Sequence, residues 1–301
     1  MVEENGDLWY RKIGFYNNPF SIKPAPFDFR IIGQEELLDD LTYKVPSGTI
    51  SFIEGPLGSG KSTLMKHLIH KFKGKGQVIF FSCNRIDSHL NIEKLLIDKY
   101  GFWGKMFKIH PKNMILLLDE AQELTSENTE RIKYFFDSGN IKSIVFAGTD
   151  YASINLHESI KERIGDGVLK VKELSDEEAI SIVRNRIGDL NLLNDDIVKK
   201  LFNLAGKNPR RLLQRCDKAC RFLIENGYNE FTEDHYKQLF SDEEKLLEKP
   251  SSKEKPAPKA PKKEAKKEDK KETKKKSKKK PGKKKKEEDN PEENLYDEEK
   301  A

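Results

Sequence analysis

The sequence has few of the features that mark secreted and membrane proteins. It contains only three cysteines, Cys83, Cys216 and Cys220, and no Cys-x-x-Cys pair. This pattern favours reduced thiols with packing roles over a disulfide framework or a cysteine metal site. No apolar run approaches the ~20 residues that a membrane-spanning helix needs, and the acidic start of the chain has no apolar stretch typical of a signal peptide. We therefore expect a cytoplasmic protein without a membrane span.

The net charge of +5 is distributed unevenly along the chain. Residues 249–286 contain 20 Lys and five acidic residues, whereas residues 287–301 contain eight acidic residues and one Lys. Residues 1–248 are left with a net charge of about −3. The basic character therefore belongs to residues 249–301, which we call the tail, and a basic nucleic-acid-binding surface on the remainder is not indicated.

The tail has almost no apolar residues, so it cannot bury enough surface to offset the entropy of ordering, and we expect it to be disordered. Its run of Lys at residues 274–286 can bind polyanions, such as DNA or ribosomal RNA, by counterion release without sequence specificity. Three alternatives remain open: a solubilising linker, a protein or membrane partner, and an acidic end that folds back on the Lys block.

Short apolar runs alternate with helical patterns before residue 175. The runs that read as strands occupy residues 49–54, 77–83, 114–118, 142–147 and 168–172. Apolar strands separated by helices predict a parallel sheet covered on both faces.

After residue 174 only helical patterns follow, beginning with a capping box at Ser175 and Glu178. The sequence thus predicts an α/β domain over residues 1–174, a small all-helical domain over residues 175–248, and the tail.

A glycine-rich loop lies between the first predicted strand and a predicted helix. It has the pattern G-x-x-x-x-G-K-[ST] and consists of Gly55, Pro56, Leu57, Gly58, Ser59, Gly60, Lys61, Ser62 and Thr63. Backbone N–H groups of such a loop surround phosphate oxygens, and the helix N-terminus faces the same anion. Lys61 is expected to reach the β- and γ-phosphates, and the Ser62 hydroxyl to bind Mg²⁺.

Two adjacent carboxylates, Asp119 and Glu120, follow the third predicted strand. At the same sheet edge as the loop, Asp119 is placed to hold Mg²⁺ and Glu120 to act as general base toward water. An Asp-Glu pair that only caps the next helix is the alternative. Because the sequence has no [NT]-K-x-D run to read guanine, ATP is the expected nucleotide.

With these motifs, the chain resembles the AAA+ ATPases, and within them the branch of origin-recognition initiators, the secretion ATPase ExeA and transposition ATPases such as MuB. The resemblance begins with residues 13–20, which end in Asn-Pro-Phe, and residues 32–37. It implies that Phe20, Ile31 and Ile32 lie beside the adenine; an ordinary hydrophobic N-terminal arm is the alternative.

The resemblance also implies roles for three residues further along the chain. Thr149, after the fourth predicted strand, matches the polar residue called sensor 1. Arg210 in Gly206–Leu213 matches the sensor 2 arginine of the helical lid, with Arg211 as second choice and one extra residue in the motif. Arg163 matches an arginine finger that reaches a neighbouring subunit, which implies a homo-oligomer or an AAA+ partner; a salt-bridged structural arginine is the alternative.

The expected function is therefore an AAA+ ATPase whose nucleotide state controls assembly on DNA or on a DNA-bound partner. The initiators usually carry a winged-helix domain after the lid, whereas this chain turns to the Lys-rich tail there. A slow ATP-dependent switch that acts on a protein partner in secretion, defence or signalling is the alternative. In a third interpretation the tail is a scaffold and ATP is structural.

Overall fold

A computed structural model of the protein describes residues 8–23, 30–73, 77–84, 90–99, 106–107, 110–188 and 190–248. The described residues belong to one compact unit. The tail, and with it the predicted disorder, lies outside the described residues.

The first part of the molecule is built on a parallel sheet. Its strands are β1 (Ile50–Glu54), β2 (Val78–Ser82), β3 (Met114–Asp119), β4 (Ile141–Gly148) and β5 (Val168–Lys170). They lie in the order β2-β3-β4-β1-β5, and every neighbouring pair is parallel. The predicted α/β class is confirmed, and the predicted strands differ from the observed ones by one or two residues at their ends.

Helices cover both faces of the sheet because its strands are apolar on both sides. On one face, alternate residues such as Ile53 and Leu117 pack against α2 (Glu35–Lys44) and α3 (Lys61–Lys73). On the other face, Phe52 belongs to a second cluster of buried apolar residues. The helices of that face are α4 (Ile92–Lys99), α5 (Ser126–Asp137) and α6 (Glu158–Ile164).

Four helices after the sheet form a bundle with its own apolar core. They are α7 (Asp176–Ile187), α8 (Asp195–Leu204), α9 (Pro209–Glu225) and α10 (Glu233–Glu248). The predicted capping box is present: the Ser175 side chain accepts from the Glu178 N–H, and the Glu178 carboxylate accepts from the Ser175 N–H. Helix α10 includes Phe240, which is buried in the bundle core.

The N-terminal segment packs against this bundle. It includes the short helix α1 (Trp9–Lys12), and Trp9 and Phe20 stack and belong to the bundle core. Asp217 of α9 accepts hydrogen bonds from the Trp9 indole N–H at 3.1 Å and from the Asn18 amide at 2.7 Å. The sequence places this segment in the predicted α/β domain and does not predict its contact with the bundle. The domain boundaries at residues 174 and 248 stay predictions.

Candidate functional site

The carboxyl ends of three neighbouring strands define the site. Strand β4 lies between β1 and β3, with Glu54 opposite Gly148 and Leu118 opposite Phe146. The segments that leave these strands, which begin at Gly55, Glu120 and Thr149, therefore start at the same sheet edge. Ligands of open α/β sheets bind at this edge.

Lys61 is the first residue of α3 and is buried, with only 5% of its surface exposed. Its ammonium donates to the carbonyl oxygens of Gly55, at 2.7 Å, and Pro56, at 2.9 Å. Burial lowers the pKa of Lys61, and the Arg210 charge acts in the same direction, whereas Glu120 and Asp119 oppose both. The cation is therefore held inside the loop, close to two carboxylates and a second cation.

Asp119 ends β3 and is buried beside the start of α3, with 4% of its surface exposed. Burial raises the pKa of its carboxyl group, and hydrogen bonds from the Ser62 hydroxyl and the Glu120 N–H oppose that rise. Among the described residues no group of three or more His, Cys, Asp and Glu side chains forms a metal cluster. One hydroxyl beside one carboxylate does fit Mg²⁺, which keeps most of its ligands from phosphate and water.

Glu120 has a left-handed backbone, with φ 54° and ψ 47°. Such a conformation is uncommon for a residue other than glycine, and strained residues cluster at functional sites. The Glu120 carboxylate accepts a hydrogen bond from the Gln122 amide, on the 3₁₀ turn Ala121–Glu123. Local backbone geometry and a neighbouring side chain therefore both orient this carboxylate.

A cavity lies between the glycine-rich loop, the bundle and the segment that precedes α2. Its polar lining includes Lys61, Glu120 and Arg210. Its apolar lining includes Ile31, Ile32, Leu174, Ile182 and Leu213. Such a mixed lining suits a ligand that has both a charged part and a flat apolar part.

Hydrogen bonds between the Gln34 side chain and the Lys172 backbone fix the segment before α2 to the linker between β5 and α7. The buried Gln34 side chain donates to the Lys172 carbonyl at 2.8 Å and accepts from the Lys172 N–H at 3.2 Å. Gly33 has a φ of 77°, and a Cβ there would overlap a Leu174 methyl carbon. This close approach holds Ile31 and Ile32 against the linker to α7.

Most residues predicted from the sequence meet around the cavity. The following predicted residues line it: Ile31, Ile32, Leu57, Gly58, Ser59, Gly60, Lys61, Ser62, Thr63, Glu120 and Arg210. Gly55 and Pro56 bind Lys61, and Asp119 contacts Ser62.

Other predicted residues lie elsewhere. Phe20 is 1% exposed within the bundle core; its expected place beside a base is therefore wrong, and the alternative of a hydrophobic arm fits. Arg211 lines a second cleft, which includes Pro56 and Lys207, and not this cavity. Thr149 is half-buried after β4. Arg163 pairs with Asp137 at 2.8 Å on the surface.

Three contacts at the site were missed from the sequence. Gln122 binds Glu120, Arg186 donates to the carbonyl of Pro19 at 2.8 Å, and Asn208 donates to the carbonyl of Leu57 at 2.8 Å. Asn before Pro is a recognisable helix-start signal, so the capping role of Asn208 could have been found. Its partner in the loop could not, because that contact depends on how the bundle packs.

Comparison with known proteins adds a family match and structural neighbours. Residues 47–179 match the family model described as AAA domain. The structure resembles Cdc6p from Pyrobaculum aerophilum with a TM-score of 0.59 at 14% identity, over 76% of this chain and 73% of that chain. It resembles the Orc1 protein of Aeropyrum pernix, solved in complex with DNA, with a TM-score of 0.58 at 14% identity, over 75% and 69% of the two chains.

The chain has the AAA fold. The family match, the parallel sheet and the glycine-rich loop together support a P-loop AAA+ ATPase, but identities this low to the solved structures establish the fold alone. The hemin import ATP-binding protein HmuV of Ruegeria sp. (strain TM1040) is 45% identical over 47 residues, which are 16% of this chain and 18% of that protein. The chain spans less than a fifth of the length of the curated relatives that it matches. In the described part of this AAA fold no helix is both long and apolar enough to cross a bilayer.

Proposed function

We propose that the protein binds ATP with Mg²⁺ and hydrolyses it. The observation that carries this proposal is the meeting of buried Lys61, the Ser62–Asp119 pair, Glu120 and Arg210 around one cavity. Cations for phosphates, a hydroxyl and a carboxylate for the metal, and an oriented carboxylate for water are the parts that phosphoryl transfer to water requires.

Each residue has a distinct role in this mechanism. The Ser62 hydroxyl and the Asp119 carboxylate would hold Mg²⁺, whose chemistry is to neutralise charge on the phosphate oxygens. Lys61 binds the β- and γ-phosphates. Glu120 accepts a proton from the water whose oxygen bonds to the γ-phosphorus, while the bond from that phosphorus to the ADP oxygen breaks.

Thr149 and Arg210 sense the γ-phosphate from two sides. Thr149 follows the strand between the loop and the carboxylates, which suits contact with the γ-phosphate or the attacking water. Arg210 enters from the bundle, so loss of the γ-phosphate removes a partner from the bundle and alters its position.

We further propose that nucleotide state controls assembly on DNA or on a DNA-bound partner. A solved structure of similar fold is that of an Orc1 protein in complex with DNA, and the Lys-rich tail provides a sequence-independent polyanion site. Arg163 lies on the surface, where its pairing with Asp137 and its position over the Phe136 ring keep it ordered. From there it could complete the site of a neighbouring copy or of another AAA+ subunit.

A slow regulatory switch acting on a protein partner is the second candidate. The hydrogen bond from Gln122 to Glu120 favours it, because a general base that is already engaged activates water less readily. In this case residues 1–248, with their net charge of about −3, would not bind DNA.

The deciding experiment measures ATP hydrolysis by the purified protein over a range of protein concentrations, with and without double-stranded DNA. The Glu120→Gln variant is the control for contaminating ATPases, and we expect its turnover to be at least ~100-fold lower because the general base is lost. DNA-stimulated turnover that rises steeply with concentration supports assembly on DNA. Slow turnover that neither DNA nor concentration changes supports the switch, and wild-type turnover in Glu120→Gln contradicts the assigned mechanism.

A further inference from the structure

The start of helix α9 contacts the outer part of the glycine-rich loop directly. Asn208 is the N-cap of α9, and its side-chain oxygen accepts a hydrogen bond from the Arg211 N–H at 3.2 Å. The amide nitrogen of the same side chain donates to the Leu57 carbonyl at 2.8 Å. One side chain therefore binds the bundle with its oxygen and the loop with its nitrogen.

A second observation shows how closely the two parts approach. Gly58 has a φ of 83°, and a Cβ at this position would lie 2.7 Å from the Asn208 side-chain oxygen and 2.9 Å from the Arg210 Cβ. Glycine is required here for its backbone conformation and for space. The loop at Gly58 therefore lies so close to Asn208 and Arg210 that no side chain at position 58 fits without a shift.

The turn before α9 limits the freedom of Asn208. Gly206 and Lys207 both have left-handed backbones, with φ of 61° and 53°, and Pro209 occupies the first turn of the helix. Lys207 also pairs with Glu173 at 3.6 Å. Because Asn208 and Arg210 are separated only by a proline with a fixed φ, a shift of one moves the other.

We propose that Asn208 is a positioning residue that ties the loop backbone to the start of α9 and thereby sets the place of Arg210 in the cavity. This inference rests on the proposed ATPase function and adds the route by which the loop and the bundle are coupled. A change in the direction of the Leu57 carbonyl lengthens or breaks the hydrogen bond, and helix α9 moves with it. Capping alone does not need this bond, because only the Asn208 oxygen serves the cap.

The test removes the amide donor of Asn208 and keeps an oxygen that caps helix α9. Asn208→Asp retains an oxygen that accepts from the Arg211 N–H but turns a second oxygen toward the Leu57 carbonyl. Asn194→Asp is the matched control, because Asn194 caps α8 in the same way, accepting from the Ile197 N–H at 2.9 Å. If Asn208→Asp does not fold, Asn208→Ser replaces it, since serine keeps a capping oxygen on a shorter side chain.

We expect Asn208→Asp to lower kcat by about tenfold, the size of one hydrogen bond's contribution, and Asn194→Asp to leave it unchanged. In an Arg210→Ala background the substitution Asn208→Asp should change kcat less than about twofold, because residues that act through one another are not additive. An equal loss in both backgrounds, or no loss in either, overturns the proposal.

A readout that needs no turnover separates this inference from the proposed function. Without nucleotide, hydrogen exchange in peptides covering residues 55–60 and 209–213 should be faster in Asn208→Asp than in the wild type and in Asn194→Asp. Unchanged exchange overturns the coupling. If Asn208→Asp exchanges faster but the wild-type protein shows no ATP turnover, the contact between Asn208 and the loop is supported and the ATPase proposal is rejected.

Discussion

The sheet edge and the helical bundle both line the cavity, but they hold their polar groups in different ways. At the sheet edge Lys61 and Asp119 are buried and bound to backbone carbonyls and to Ser62. In the bundle Arg210 is an exposed residue on the first turn of α9. Its place depends on the contact of Asn208 with the loop.

This difference means that the polar groups at the sheet edge are held in place, whereas the bundle can move. Groups at strand ends cannot shift without breaking a sheet whose central strands are buried on both faces. The bundle has its own core, so it can rotate as a body while that core stays intact. We infer that the sheet edge holds the phosphates and the metal and that the bundle reports their presence.

The largest expected effect is on stability, and it tests whether the N-terminal segment is part of the bundle. Phe20→Ala should reduce the free energy of unfolding by about 3–5 kcal/mol, because a buried aromatic ring leaves a cavity in the bundle core. Tyr16→Ala is the control: Tyr16 is 76% exposed, and the Arg11 guanidinium lies 4.4 Å from the centre of its ring, so its loss should cost less than about 1 kcal/mol. Urea denaturation measures both values. Equal costs would show that the N-terminal segment is not part of the bundle.

A second prediction tests the fixed side of the comparison. Lys61→Ala should weaken ATP binding by on the order of 100-fold, since it removes charge-assisted hydrogen bonds to the phosphates. Lys71→Ala, an exposed position on the same helix α3, should leave binding unchanged. Titration calorimetry gives both dissociation constants, and similar affinities for the two variants would remove Lys61 from the site.

A third prediction compares two adjacent arginines of the bundle. Arg210→Ala should lower kcat by about tenfold with a smaller change in KM, because one charged hydrogen bond to the γ-phosphate is lost. Arg211→Ala should change kcat less than about twofold, since Arg211 lines the cleft outside the cavity. Steady-state kinetics of the two variants decide the assignment, and the reverse order would exchange the two residues.

The smallest expected effect uses the cysteines as reporters of the two regions. Burial raises the pKa of Cys216 and Cys220 in the bundle core, and it raises the pKa of half-buried Cys83 at the sheet edge to about 12. At pH 8 a thiol reagent should therefore modify Cys83 slowly, and the other two only when the bundle opens.

The same shifts determine how stability depends on pH. A thiol whose pKa is raised by folding contributes its full stability below the unfolded value of about 9. That contribution is lost as pH rises toward the folded value, so the unfolding free energy should fall between about pH 9 and pH 12. Cys83→Ala should make this decline shallower. A stability that stays constant over this range would contradict the burial of the thiols.

Local sequence patterns determined the class of fold and the centre of the candidate site. Apolar runs predicted all five strands, because a strand buried on both faces must be apolar along its length. The glycine-rich loop, Lys61 and the Asp119–Glu120 pair were recognisable because their chemistry requires fixed residue types within a few positions. The capping box at Ser175 was equally local.

The tertiary structure alone decided the features that join distant parts of the chain. The strand order, the packing of Phe20 in the bundle, and the bond from Asn208 to Leu57 depend on residues far apart in sequence. Many arrangements bury a similar amount of apolar surface, and the hydrophobic effect is not directional. Only the packing of whole elements selects one arrangement, and with it the side chain that reaches the site.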